Sequence, residues 1–341
     1  DDARAALGRP LMGHRATGFR ELYERVTPRL AQVFRTEGPA MLETGSATLV
    51  MESAILSTVE ESVLNLTCGA FSERWHAISR ACGKQADQIA VPWGEAITPD
   101  LVRGALRRKR YEAVTVVHSE TSTGVLNPLE EIAAVIHEES DALVLVDTVS
   151  SLAGARVETD AWGLDIVLAG AQKALAVPPG LAVFTLSARA AERASKVRRR
   201  GFYTDLLRAR DEHLGGGTLA TPAMPQIFAL DVQLERILEE GLEARWRRHL
   251  ELRDRLAEWA GEHGFAVAAA AGFRSPTVTC LEPPDGWQPL DLVARLGERG
   301  WTVAPGYGEW KGTTFRIGHM GEVRVNDLDA LLGALETVVA S

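Results

Sequence analysis

Cysteine is scarce in this 341-residue chain, with only Cys68, Cys82 and Cys280 and no C-x-x-C spacing. So sparse and odd a set argues against a disulfide framework or a thiolate metal cluster, and it fits a reducing, cytoplasmic compartment. Long apolar runs are absent too. No stretch approaches the roughly 18 residues of a membrane span, and the opening DDARAALGRP lacks the charged-then-apolar pattern of a secretion signal. Positive charge is in deficit: the formal net charge is -9. Nucleic acid and anionic membranes repel such a chain, so neither is expected as a principal partner. Two local basic runs, 103–110 and 196–200, read as solvated faces of a helix or loop, and some of their arginines could line a subunit interface. Internal repeats and low-complexity segments are missing as well.

What is present is ordinary globular material, 46% hydrophobic and 24% charged, long enough for one or two domains. The middle of the chain carries four short runs that are apolar on both faces: 113–118 (AVTVVH), 142–147 (ALVLVD), 166–170 (IVLAG) and 181–186 (LAVFTL). Strands of a parallel sheet covered by helices on both sides have this pattern. A helix separates the first two runs, with Asn127 placed to cap it, Pro128 at its first position and Glu130 as a capping-box acid. Strand, helix, strand in that order predicts an α/β domain. Beyond about Gln226, Ile227, Leu230, Leu234, Ile237 and Leu238 keep helical spacing, and one long or broken helix bridges to a smaller α+β region. The boundary falls near residue 240, giving a large domain over 1–240 that includes the bridging helix and a small one over 241–341.

Open α/β sheets bind ligands at the C-terminal ends of their strands. The first run leads into His118-Ser119-Glu120-Thr121-Ser122-Thr123-Gly124, the second ends in Asp147-Thr148-Val149, and the third leads into Gly170-Ala171-Gln172-Lys173. Hydroxyls, a carboxylate and a lysine would meet in one crevice. Taken alone, Lys173 reads as the start of a surface loop. Its small neighbours Gly170 and Ala171 instead leave room for a bulky ligand, and a lysine shielded from water loses its proton more readily, as an amine nucleophile must. Asp147 reads either as a cap at a strand-to-helix turn or as a carboxylate facing a ring nitrogen. Upstream, Gly45-Ser46-Ala47-Thr48 opens a helical stretch, and a turn of this kind offers N–H groups to a phosphate, although ordinary helix caps use the same residues. Phe71 could stack on a flat ring or serve the core.

These residues together resemble a known family. The stretches HSETSTGVLNPL (118–129), VDTVSSLAG (146–154), AGAQKALAVPPG (169–180) and FRIGHMG (315–321) are similar to those of the class V, fold type I aminotransferases, the group of alanine–glyoxylate and serine–pyruvate enzymes. The resemblance implies pyridoxal 5'-phosphate as cofactor, a large domain with a mostly parallel seven-stranded sheet between helices, and a homodimer whose partner subunit touches the cofactor phosphate. It implies that Lys173 holds the cofactor covalently and moves the proton, that Asp147 faces the pyridine nitrogen, and that Val149 packs beneath the ring with Phe71 stacked above it. Gly45, Ser46, Ala47, Thr48 and Gln172 would meet the phosphate, Ser122 or Thr123 the ring hydroxyl, and Thr218 or Thr221 the neighbouring subunit's phosphate. Arg316 would grip the substrate α-carboxylate, a task that suits a planar fork of donors. The implied reaction is a ping-pong transfer from a small amino acid, alanine or serine, to glyoxylate or pyruvate.

Two departures from the family pattern matter. The Gly/Pro-rich opening segment that lines the family's substrate pocket is missing from these residues. Gly13-His14-Arg15 also resembles a pair that meets a substrate phosphate in phosphoserine aminotransferases, so phosphoserine or aspartate stays open as donor, with His14 and Arg15 as substrate contacts. A cysteine desulfurase is the further alternative. That group carries histidines where this chain has Gln172 and Phe71, and a reactive cysteine on a mobile loop, whereas Cys280 lies in a strand-like run.

Overall fold

The computed structural model describes residues 2–340. Helices α1 (Asp2–Ala6) and α2 (Thr17–Phe34) precede strand β1 (Ala40–Thr44). Then come α3 (Ala47–Thr58), β2 (Ser62–Thr67), α4 (Ala70–Ala81), β3 (Gln85–Ala90), α5 (Pro99–Leu106) and β4 (Ala113–Val117). A small ribbon of β5 (Ser119–Glu120) and β6 (Val125–Leu126) leads into α6 (Leu129–Glu139), β7 (Leu143–Asp147), β8 (Ile166–Gly170) and β9 (Leu181–Thr185). Four helices follow: α7 (Ala188–Lys196), α8 (Leu206–Leu214), α9 (Met224–Glu240) and α10 (Leu242–Glu262). The remainder holds β10 (Ala266–Val267), β11 (Val278–Glu282), α11 (Pro289–Glu298), β12 (Ala304–Pro305), β13 (Phe315–Gly318) and α12 (Val325–Val339).

Seven strands form one sheet in the order β1-β9-β8-β7-β4-β2-β3. The apolar runs are continuous because alternate residues feed two different cores. Val144, Val146, Val167 and Ala169 pack with Leu30 of α2, Ile132 of α6 and Ile227 of α9. Leu143, Leu145, Ile166 and Leu168 pack on the other face with Ile55 of α3 and Ala190 of α7. A sheet sandwiched in this way needs no polar face.

Two expectations are corrected. Strand β9 runs antiparallel to β8, because the connection from Ala171 to Gly180 contains no helix and a parallel return requires a longer crossover. Asn127 does not cap α6, whose N-cap is Pro128 with no side-chain bond. Its amide instead donates to Val117 O at 2.7 Å and accepts from Ile97 N at 2.9 Å, tying the end of β4 to the segment before α5.

The helical stretch after residue 226 is broken at Gly241, whose φ of 80° lies in the left-handed region. Helix α10 contributes Leu242 and Trp246 to the large core and Leu252, Leu256 and Trp259 to a separate one beneath the four-stranded sheet β10-β11-β13-β12. Among the described residues, no helix is long and apolar enough to cross a membrane.

Candidate active site

Strands β2, β4, β7 and β8 are parallel, so their C-terminal ends deliver Gly69–Phe71, His118–Thr123, Asp147 and Gly170–Lys173 to one edge of the sheet. Asp147 continues the face of Leu143 and Leu145 and is buried. Its Oδ1 accepts from Val149 N at 2.6 Å. Burial pushes its carboxyl up to about 7, against the pull of that bond and of the nearby cations Lys173 and Arg74. Val149 packs against the core on the same side as Asp147.

Lys173 is half-buried on the loop that follows β8. Burial, then the charge of Arg316, holds its ammonium below the ordinary lysine range, while Asp147 opposes them. That loop is braced from behind. Buried Arg245 donates to Ala174 O at 3.1 Å and to the carboxylates of Glu240 and Glu322. Gln233 reaches Ala176 O at 3.4 Å. Ala176 takes a φ of 56°, a left-handed conformation that costs a non-glycine residue about 1 kcal/mol or more.

Glu120, which sequence reasoning passed over, organises the opposite wall. It is fully buried. One oxygen accepts from Ser72 N at 2.9 Å and the other from Phe71 N at 3.2 Å, so a carboxylate from the β4 side caps α4. Ser122 Oγ donates to Glu120 at 2.6 Å and accepts from Ala70 N at 3.0 Å, which commits its one hydrogen. Thr123 Oγ1, by contrast, is buried and has no hydrogen-bond partner among the described residues. A Cβ on Gly69 would sit 2.5 Å from both Glu120 Cγ and Ser122 Oγ, so only glycine lets the two segments close.

Arg316 lies on β13, where Nε donates to Pro305 O at 3.0 Å and Nη1 to Thr121 O at 3.3 Å. Its guanidinium carbon stands 5.4 Å from the ring centre of Tyr307, and Tyr307 stacks on Phe71 at 5.3 Å. The loop carrying Thr121–Thr123 is stitched to the smaller region by Ser119 Oγ to Ser275 Oγ at 2.8 Å and Ser275 N to Gly124 O.

The turn Gly45–Thr48 stands at the end of β1. Ser46 is the N-cap of α3 but makes no side-chain cap bond, which leaves the first-turn N–H groups of Ala47 and Thr48 open to an anion. Gly45 has a φ of 153° and contacts Leu49 so closely that a Cβ would lie 3.0 Å from its side chain. Gly45 N bonds Gly180 O, which links this turn to the Lys173 loop. Gln172 is exposed, with its amide folded back over Gly170.

Four other expected contacts lie elsewhere within the chain. His14, Arg15, Thr218 and Thr221 line one cavity of about 690 Å³ together with Gly215–Gly217. Its lining includes none of Lys173, Asp147 and Arg316, and its segment 218–221 is tied to Glu43 and Thr44 at the end of β1. Glu43 accepts from Leu219 N at 3.0 Å, Thr44 Oγ1 donates to Thr221 O at 3.1 Å, and the Tyr203 hydroxyl donates to Thr44 O.

A family model described as aminotransferase class-V matches residues 13–306. An uncharacterized aminotransferase of Methanocaldococcus jannaschii is 38% identical over 337 residues, covering 97% of this chain and 87% of that protein. Among solved structures, an aspartate aminotransferase of subgroup IV from Thermus thermophilus is 33% identical with a TM-score of 0.91, covering 99% of this chain and 95% of its own. An alanine–glyoxylate aminotransferase from Nostoc sp. is 32% identical with a TM-score of 0.94, covering 99% and 92%.

Proposed function

The chain belongs to the class-V aminotransferases, which depend on pyridoxal 5'-phosphate, and from that premise we propose that it moves the amino group of a small amino acid, alanine or serine, to glyoxylate or pyruvate in two ping-pong half-reactions. One observation carries this reading. A half-buried lysine with a loosened proton, a buried carboxylate and an arginine with no carboxylate partner among the described residues converge on one cleft, from the ends of β8 and β7 and from β13.

The residues fit the cofactor. Thr123 Oγ1 is an unsatisfied donor suited to a ring oxygen, the uncapped start of α3 suits a phosphate, and Asp147, pushed toward neutrality by burial, would regain its charge beside a protonated ring nitrogen. When bound, pyridoxal phosphate supplies a carbonyl that captures amines and a ring that withdraws electrons from the substrate Cα. On this reading Lys173 Nζ holds the cofactor and, once freed as a neutral amine, takes the Cα proton and returns it. Arg316 binds the α-carboxylate, Phe71 and Val149 flank the ring, Gln172 joins Gly45–Thr48 at the phosphate, and Ser122 serves Glu120 instead of the ring. The desulfurase alternative loses support, because Cys280 is buried in β11 and burial pushes its thiol up to about 11.

A homodimer belongs to the same reading. Leu11, Met12, Phe202, Tyr203 and Leu214 are large, exposed apolar residues on segments that flank the cavity holding His14, Arg15, Thr218 and Thr221. A partner laid there would bury them and receive those four polar side chains at its own phosphate and substrate. We also keep the division near residue 240, supported by the break at Gly241, and a cytoplasmic setting, supported by three free thiols.

The test is borohydride reduction of the cofactor-loaded protein followed by peptide mapping, together with a donor screen that follows 2-oxo acid release. A pyridoxyl group on Lys173 and release of pyruvate from alanine, or hydroxypyruvate from serine, are expected. An adduct elsewhere, or full turnover by Lys173→Ala, would refute the assignment.

A further inference from the structure

Three cations border the cleft, and each has a different claim on it. Lys173 and Arg316 are absorbed by the reaction above. Arg74 is not. It sits one turn beyond Phe71 on α4 and on the same helix face, because residues three apart are neighbours on a helix. Its guanidinium carbon stands 4.9 Å from the centre of the Phe71 ring, and its Nη2 donates to the Tyr307 hydroxyl at 2.9 Å. Tyr307 in turn stacks on Phe71 and lies against Arg316. Two guanidinium groups thus flank one aromatic pair, a single tyrosine side chain apart. None of the three cations makes an ion pair with a carboxylate among the described residues. The nearest acid on the helix, Glu73, is engaged instead by Trp93 Nε1 at 2.8 Å.

We propose that Arg74 is a second carboxylate-binding residue, which extends the donor range of this site to dicarboxylic amino acids. The proposal rests on the transaminase reading and deepens it. A cleft with one arginine can anchor only the α-carboxylate common to every donor. A second arginine, an aromatic pair away, adds a partner for a side-chain carboxylate, and its planar fork matches both oxygens. Tyr307 explains how small substrates are tolerated by the same site. A ping-pong enzyme must bind substrates of different size in turn, so an arginine that meets only the larger ones needs a resting partner when a small one is bound. The Tyr307 hydroxyl is a neutral acceptor on which Arg74 rests, and an arriving carboxylate displaces it because charged acceptors make the stronger bond. Arg74 also raises the positive potential around Asp147, consistent with a guanidinium facing into the cleft.

The test pairs kinetics with binding. Cofactor-loaded wild type, Arg74→Gln and Tyr307→Phe are assayed with glyoxylate as acceptor and with aspartate, glutamate, alanine or serine as donor. Arg74→Gln should lower kcat/KM for the dicarboxylic donors by about 10- to 100-fold, the range of a charge-assisted hydrogen bond, and should lower it for alanine by far less. Tyr307→Phe should slow alanine more than aspartate, since it removes the resting partner. In parallel, succinate and propionate, which cannot transaminate, are titrated by calorimetry. Succinate should bind wild type more tightly than Arg74→Gln, and propionate should not distinguish them. Equal losses for aspartate and alanine, or succinate binding unchanged by Arg74→Gln, would overturn the proposal. If no donor turns over while succinate still depends on Arg74, the transaminase reading fails and the dicarboxylate subsite stands.

Discussion

Replacing Glu120 by glutamine removes one charge and one acceptor from a fully buried position, and the cost follows from geometry. The carboxylate receives three backbone N–H groups, those of Phe71, Ser72 and Ser122, and the hydroxyls of Ser72 and Ser122. Hydroxyls can rotate away, but backbone N–H groups cannot. A glutamine amide has one acceptor oxygen and a donor NH2, so at least one backbone N–H must face another donor. Losing a charge-assisted bond costs about 1.5–3 kcal/mol and stranding a buried donor about 1–3 kcal/mol, roughly 2.5–6 kcal/mol in all. A chain of 341 residues unfolds with an entropy of about 0.7 kcal/mol/K, so Tm of Glu120→Gln should fall by about 4–9 °C. Differential scanning calorimetry at pH 7.5 measures it. Ser122→Ala removes both a bond to Glu120 and the acceptor of Ala70 N, so it should lower Tm by a similar amount. The same N–H groups set the start of α4 and thus the position of Phe71, so Glu120→Gln should also weaken cofactor binding, read from the fluorescence of released pyridoxal phosphate. A Tm within 1 °C of wild type would refute the capping argument.

Glu43 provides a pH test. Burial raises its carboxyl from 4.5 to about 7, so the folded chain retains a proton that the unfolded chain has released. Stability from this group is present below about pH 4.5 and is lost as pH rises through 7. Asp147 shifts the same way, so Glu43→Gln should shrink, without abolishing, the drop in Tm between pH 6 and pH 8.5; an unchanged drop would count against the assignment. The thiols give a second check. Burial pushes Cys68 up to about 12 and Cys280 up to about 11, so one fast thiol per native chain, Cys82, should react with an aromatic disulfide reagent at pH 8, and three should react in denaturant; rapid labelling of Cys280 would contradict its burial. The subunit contact is tested by Phe202→Asp combined with Leu214→Asp, which should convert a dimer to monomer in sedimentation velocity and lower activity; a dimer that persists would move the interface elsewhere.

The strands that were legible are the fully buried ones. β4, β7 and β8 are continuous Val/Leu/Ile runs, and each ends in residues that chemistry can use. β3 was illegible because QADQIA lies at the sheet edge, where one flank is solvent and apolar pressure is weak. The direction of β9 was illegible for another reason: burial dictates composition but not orientation, and only the short helix-free connection from Ala171 reveals it. Within the site, Lys173, Asp147 and Arg316 stood out because a lysine, an aspartate and an arginine at strand positions are conspicuous. Glu120 did not, since in the run SETST it reads as one more polar loop residue, and its role depends on the start of α4, some fifty positions upstream. Arg74 and Tyr307 had no local signal at all. They meet only because α4 and the segment before β13 close over the same cleft.

That cleft is built against the grain of folding. Lys173 and Arg316 give up water without gaining a carboxylate, Asp147 is buried with one backbone bond, Thr123 Oγ1 has no partner, and Ala176 stays left-handed. Each is unfavourable by about 1 kcal/mol or more. The surroundings hold them regardless. Glu120 fixes the α4 wall from beneath, Arg245 and Gln233 fix the lysine loop from behind, and Glu43 with Thr44 fixes segment 218–221. None of these bracing residues need meet a substrate. Arg245 is paired with Glu240 and Glu322, whereas Lys173 and Arg316 have no carboxylate partner among the described residues. This division of the cations, paired behind and unpaired in front, is what marks the front as a binding surface for anions. It also means that ligands which fill the cleft should stabilise the fold by an amount that grows with their occupancy, because they bind the folded chain alone.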